Sequence, residues 1–444
     1  MTTAHPKLPA ITPEPAVADG VALPWDAEMG DPVEALAAAR EKYGDTFVVD
    51  SGPDRYLFTF SPEGVASFYG LPESAASKGV ADWRMLRRKL PDEVFGDRRT
   101  LPHDLFNKGD RITQLASVER ALDLTTDELG DEGTFDVFAF TRRLGHRVGM
   151  ATWGGPGSDS GPNFERLVKA FDVLDGAEAF VHPDAMAAVA ASGKAAEIEA
   201  LKEVADVIAA ALETADPADD SLFPRIAEKW AAEPEDVRRT GVGYDVALLH
   251  IASMSNLFAA LGWAIVDLLE HPAERDRVVA GDTERAEQCV LESTRLAQRS
   301  IMSRFVLQPI TLDIGGPTGS STLAIEPGMT VATLLPLTNT TSAAGLDRWD
   351  PDHWRRRKLV GAEALPAAEL VTAFGHGKHT CPAQPFSLAA MIAVVTRLFT
   401  LYDVTLQTTT RPRPEPAQIG GVARAKDPCP VRYVRRSAED PVTK

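Results

Sequence analysis

The chain has 444 residues, 44% of them hydrophobic and 25% charged, with 46 basic against 64 acidic side chains and a net charge of -18. This mixture fits a folded globular chain, and the acidic balance argues against nucleic acid or an anionic membrane as a general partner. Three cysteines, Cys289, Cys381 and Cys429, cannot build a disulfide framework; they suit a reducing cytoplasm, where a lone cysteine is a buried apolar residue or a chemical one.

Residues 1–20, rich in Pro and Ala, read as a flexible segment without the basic flank and apolar run of a signal peptide. Pro32 to Tyr43 has the period of an amphipathic helix, and Asp45 to Ser51 with Asp54 to Phe60 reads as a strand pair around Gly52-Pro53. Helical periodicity returns at Ile112–Leu129, Phe138–Trp153, Asn163–Leu174, Ala195–Ala215 and Pro234–Gly241. Loops at Gly154–Pro162 and Asp216–Ser221 separate some of them. A long helix is expected from about Tyr244 to His271-Pro272, where proline ends it. Its apolar stretch is broken by His250, Ser253, Ser255, Asn256 and Asp267, so no membrane span is expected. A helix over Glu284–Gln298, strands through Leu335, an irregular stretch to Leu370, a helix over Pro382–Tyr402 and a strand-and-turn region to Val434 follow. The whole reads as mainly α with small β-sheets (α+β), one domain over 21–435 and a polar tail at 436–444.

The most informative segment is Phe374-Gly375-His376-Gly377-Lys378-His379-Thr380-Cys381-Pro382. The glycines permit tight turns. Cys381 sits before a helix with Pro382 suited to its first position, so the sulfur faces the positive end of a helix dipole, which favours a thiolate. A buried inert thiol in a glycine-rich turn is one alternative. A zinc site from His376, His379 and Cys381 is another, although no fourth ligand lies at a matching spacing.

Phe374, Gly377 and Cys381, opening a long helix, resemble the haem-binding loop of cytochromes P450, and Gly375 and His379 fit common variants. Ala383 departs from the usual glycine. Glu292-Ser293-Thr294-Arg295 is similar to the family's Glu-x-x-Arg helix, whose two side chains share a face at i, i+3. The resemblance implies that an Arg from Arg355, Arg356 or Arg357 locks that pair. It also implies a single-domain P450 fold holding haem b between the long helix and the cysteine helix. Cys381 would be the iron ligand, with Phe374 and Gly375 in its loop. Arg304, His379 and, from the N-terminal third, His103 and Lys108 are the candidates for holding the haem propionates.

The long helix departs from the family pattern. At Ala252-Ser253-Met254-Ser255-Asn256, Ser255 and Asn256 replace the usual acid and Thr, removing the titratable acid and the hydroxyl of the common proton relay. The Asn and the Cys-Pro pair are similar to the branch holding prostacyclin synthase, cholesterol 7α-hydroxylase and sterol 14α-demethylase. That branch contains both a peroxide isomerase and hydroxylases, and this chain would be a soluble, bacterial-type member. Pro382 lacks an N–H, which removes one possible donor to the sulfur.

The implied function is a haem-thiolate monooxygenase of a medium-sized apolar molecule, using dioxygen and two electrons from a ferredoxin or flavodoxin and its reductase. Ser255 and Asn256 are the catalytic candidates. Ala252, Met254, Leu257, Gln298, Ile301 and Met302 are the expected pocket residues. Lys378 and Arg355 to Lys358 offer local positive charge for the redox partner. The rivals are an isomerase, dehydratase or peroxygenase that needs no redox partner, and a haem protein without turnover.

Overall fold

The structure is a computed structural model that describes residues 14–100, 105–106, 110–216, 219, 221–316 and 321–437. His103 and Lys108 lie outside these residues, as do most of the N-terminal segment and of the C-terminal tail. Within the described part of residues 1–20, Val17 forms a bridge with Val48 and Ala18 is buried.

Helix Pro32–Tyr43 starts where Asp31 accepts the backbone N–H of Val33 and Glu34, as an N-cap should. A five-stranded sheet follows in the spatial order Thr46–Ser51, Asp54–Thr59, Thr330–Leu334, Ile301–Val306 and Ala76–Ser77. All its pairings are antiparallel except the parallel one between Asp54–Thr59 and Thr330–Leu334. A second sheet joins Tyr402–Leu406, Pro430–Arg435 and Glu132–Asp136. Phe47, Phe58 and Phe60 stack on one face of the large sheet and fill a satellite core there.

The main core surrounds one helix, Glu235–Glu270, about 54 Å long at 1.5 Å per residue. The two helices expected over 234–241 and from 244 onward are one. Gly241 and Gly243, which interrupt the periodicity, are packing glycines: a Cβ would lie 2.3 Å from the Trp230 ring at the first and 2.6 Å from Ala205 at the second. Helix Val137–Trp153 approaches the same helix through Gly145 and Gly149, whose added Cβ atoms would strike Phe258 and His250. By length and composition this central helix and Gln384–Leu401 could each cross a membrane, but 78% and 44% of their apolar windows are buried inside the fold.

Proline at the first helical position opens a helix that the periodicity did not mark, Pro272–Val279. The stretch to Leu370 holds a short helix, Leu335–Thr341, and a hairpin pairing Arg355 with Lys358. The helix after the cysteine starts at Gln384 rather than at Pro382, because Pro382 and Ala383 form a turn in which Gln384 N–H donates to Cys381 O.

Candidate haem-thiolate site

The cysteine loop is shaped by its backbone. Gly375 has φ +80°, and a Cβ there would lie 2.5 Å from His379 O, so only glycine fits. The loop closes through Cys381 N–H to Phe374 O at 2.8 Å and Thr372 Oγ to Gly375 O at 3.0 Å. Burial pushes the Cys381 thiol up, and the backbone N–H groups of Ala383 and Gln384 pull against it by donating to the sulfur. The donor missing at Pro382 is therefore supplied by the next two residues. His376 turns away to Val371 O and His379 lies against Arg304, so neither ring joins Cys381 in a zinc-like cluster. Cys289 and Cys429 are fully buried, with thiols pushed up by burial to about 12 and about 11.

Above the sulfur lies a cavity of about 410 Å³. Phe106, Phe374 and Lys378 line it near Cys381, and Ala252, Asn256 and Ala260 line it from the central helix. These three recur every fourth residue and so share one helix face. Met254, two residues on from Ala252, points about 200° away at 100° per residue. It lies instead at Gly149 of helix Val137–Trp153 and lines neither this cavity nor the one beside it. Leu257, Gln298 and Met302 do line the cavity. Gln298 is fixed by Nε2 donating to Ala373 O and Oε1 accepting from Ser300.

Asn256 is held at one end. Its Oδ1 accepts Val422 N–H at 2.8 Å, and no hydrogen bond among the described residues uses its Nδ2. The approach is close because Gly421 has φ +65° and a Cβ there would lie 2.7 Å from Oδ1.

Behind His379, which lines the cavity, Arg304 is buried, one nitrogen donating to Leu71 O and another pressed against the His379 ring. Burial pushes both groups below their usual values, and the Arg304 charge lowers His379 further. Two potentially cationic groups in contact, with Lys78 lining the same cavity, form a donor set for carboxylates. Lys78 went unnoticed in the sequence because it stands 303 positions from Cys381 and in no motif. A partly buried sulfur lining the cavity, an apolar slot and basic donors at and behind its wall fit a haem, so the residues present suit the cofactor.

The Glu292–Arg295 pair is fully buried, at 2.6 Å and 2.8 Å. Arg295 also donates to Asn339 O and Leu346 O. Burial alone would push Glu292 up, but the hydrogen bonds and charge of Arg295, with His353 and Trp354, hold it below the usual range. His353 Nδ1 and Trp354 Nε1 each reach Glu292 at 2.8 Å. The expected Arg is therefore wrong: Arg355 and Arg356 are exposed, and Arg357 pairs with Glu287. A hairpin turn with Arg356 and Arg357 at φ +49° and +63° carries them outward.

A second compartment of about 340 Å³ shares Asn256, Ala252 and Met302 with the first and adds Ile301, Ser255, Asp175 and Arg424. Ser255, one residue before Asn256 and so about 100° round the helix from it, faces this side. Its Oγ–H donates to Asp175 Oδ1 at 2.7 Å and accepts from Arg424 at 3.2 Å. Its hydroxyl is thus engaged away from Cys381. Lys89, buried beside this compartment, donates to Val173 O, Leu174 O and Gly176 O, while Lys194 donates to Arg87 O and Leu90 O.

No family model matches the chain. A human protein, 24-hydroxycholesterol 7-alpha-hydroxylase, is 23% identical over 456 residues, covering 93% of this chain and 92% of that protein. Among solved structures, CYP175A1 from Thermus thermophillus matches with a TM-score of 0.64 at 20% identity, covering 91% of this chain and 95% of that one. With that likeness spanning nearly the whole length, the chain has the cytochrome P450 fold, and the cysteine loop and the buried Glu–Arg pair stand within it.

Proposed function

We propose that the chain inserts one oxygen atom of dioxygen into a C–H bond of a medium-sized apolar molecule, a lipid or natural-product intermediate, with haem b as its cofactor. The observation that carries this reading is that Cys381 and the Ala252–Asn256–Ala260 face line one largely apolar cavity. Bound haem supplies the oxygen chemistry, consuming two electrons and two protons and releasing water with the oxidised product.

The residues do the rest. Cys381 holds the metal, with the N–H groups of Ala383 and Gln384 steadying its charge. Arg304, His379 and Lys78 hold the carboxylates at the edge. Leu257 and Ala260 keep water from the reacting carbon. Asn256 aims Nδ2 as a fixed donor, because its oxygen is committed to Val422. A ferredoxin or flavodoxin docks on the exposed positive charge of Lys378 and Arg355 to Lys358. The human relative acts, by its name, as a hydroxylase of a hydroxylated sterol, which supports hydroxylation of an apolar substrate.

One observation favours a second reading. Although Ser253 of the same helix lines the cavity, Ser255 is engaged by Asp175 and Arg424, so the positions of the usual acid and Thr offer neither a free acid nor a free hydroxyl. A peroxide isomerase, dehydratase or peroxygenase would need neither. The test is turnover with a surrogate ferredoxin, its reductase and NADH, against turnover with peroxide alone. Product that requires NADH and dioxygen is expected; product from peroxide without NADH would replace the monooxygenase with the second reading.

A further inference from the structure

The second compartment has largely apolar walls, broken by Lys78 and Asp82, which pair with each other, by Asn256, Ser303 and Gln418, and by one charged corner. Met85, Leu86, Leu174, Ile251, Ile301 and Ile419 form its walls. At the corner stands Arg424, its side chain 24% exposed. Only its Nη2 is used, donating to Asp175 O at 2.6 Å, to Asp175 Oδ2 at 3.1 Å and to Ser255 Oγ at 3.2 Å. No hydrogen bond among the described residues uses Nε or Nη1. A guanidinium with two unused donors on the wall of a largely apolar cavity is placed to bond an acceptor that enters it.

The corner is rigidly placed. The glycine turn that carries Arg424 is tied by Asn256 Oδ1 to Val422 N–H, by Arg299 N–H to Gly421 O and by Ala423 N–H to Ala297 O. It is also electrically balanced. Asp175 neutralises Arg424, and the neighbouring Arg142 pairs with Asp172 at 2.6 Å and reaches Asp175 at 3.5 Å. A further carboxylate would sit against Asp175 in a poorly screened site, where like charges repel strongly. A neutral oxygen faces no such penalty.

We propose that Arg424 is a specificity residue, binding a neutral oxygen acceptor, a carbonyl or hydroxyl, at the end of an apolar substrate opposite the carbon presented to Asn256. This rests on the cavity being the substrate site, as proposed above.

The test uses the haem-loaded protein in equilibrium dialysis against cyclododecane, cyclododecanone, cyclododecanol and cyclododecanecarboxylate. Water favours the oxygenated rings, so the hydrophobic effect alone would make cyclododecane the tightest ligand. We expect cyclododecanone and cyclododecanol to bind about 10-fold or more tighter than cyclododecane, the scale of a hydrogen bond to a charged donor. In Arg424→Met that margin should collapse while cyclododecane affinity holds. Equal or tighter binding of cyclododecane by wild type overturns the proposal without any variant. Tightest binding of the carboxylate overturns its neutral-acceptor assignment. A persisting margin in a folded Arg424→Met protein, judged by haem content and melting temperature, also overturns it. The monooxygenase reading fails separately, on absent NADH-dependent product, and leaves the ketone margin unchanged.

Discussion

Val422 N–H donates to Asn256 Oδ1 at 2.8 Å, joining the central helix to the glycine turn at 420–421, and no hydrogen bond among the described residues uses the amide nitrogen of this residue, which lines Cys381's cavity. Asn256→Ala should therefore do two things. Loss of the fixed donor should cut product per haem roughly 10²-fold, with NADH still consumed and hydrogen peroxide released. Loss of the bond to Val422 should lower stability by about 1 kcal/mol. Product, NADH and hydrogen peroxide measured together, beside a melting curve, check both. Unchanged product with no extra peroxide would leave Asn256 a packing residue.

The Glu292–Arg295 pair is buried and bonded on every side. Removing one partner strands the other, so Glu292→Ala or Arg295→Ala should cost roughly 3–5 kcal/mol and give mostly haem-free or insoluble protein. His353→Ala should cost less, since Trp354 and Arg295 still engage the carboxylate. Arg355→Ala and Arg356→Ala, on exposed side chains, should leave haem content and melting temperature unchanged. A strongly destabilised Arg355 or Arg356 variant would contradict the assignment of His353.

Cys381→Ala should abolish the red-shifted Soret band of the reduced carbon monoxide complex of the haem-loaded protein, because that band would need the thiolate to hold the metal. The band surviving in that variant would remove Cys381 as the iron ligand.

His146 and His250 stack in the core with Nδ1 and Nε2 2.8 Å apart. Burial pushes His146 down to about 3 and His250 well below its usual value, so both are neutral in the fold. With folded values depressed, the unfolded chain binds the extra protons. Stability is then complete above about pH 6.5 and lost as pH falls toward about 3, at up to about 1.4 kcal/mol per pH unit for each ring. Urea unfolding at pH 7 and pH 5 should show a loss of about 2 kcal/mol per histidine, smaller in His146→Gln/His250→Gln. An equal loss in the double variant would place the acid sensitivity elsewhere.

Local signals carried the framework. The amphipathic period over Pro32 to Tyr43 marked the first helix at its observed bounds, and the cysteine loop with the Glu292–Arg295 spacing marked the parts of the site that lie close in sequence. What escaped was set by distance or by helix phase. Asp175 and Arg424 meet Ser255 across 80 and 169 positions, and no short pattern records such a meeting. Met254 was drawn in as a neighbour of Asn256, although helical phase turns it to the far side. The resemblance implied an Arg partner for Glu292 from the basic run Arg355 to Arg357, whereas the hairpin backbone delivers the preceding His353 and Trp354. Gly241 and Gly243 read as a break because sequence does not show the Trp230 ring and Ala205 backbone that demand them.

The two lysines beside the outer compartment work as crossed latches. Lys89 reaches from the 78–90 segment to the end of helix Gly161–Leu174, and Lys194 reaches back to Arg87 and Leu90. Each spends an ammonium on main-chain oxygens that would otherwise have to stay solvated. The 78–90 segment is therefore tied to the end of that helix by three charge-assisted bonds and to Lys194 by two more, and a bulky guest must break one set or the other to move it. Passage in and out falls to whichever side of the chamber has no such fastening, so the breathing that admits a substrate is steered by where these two cations are anchored.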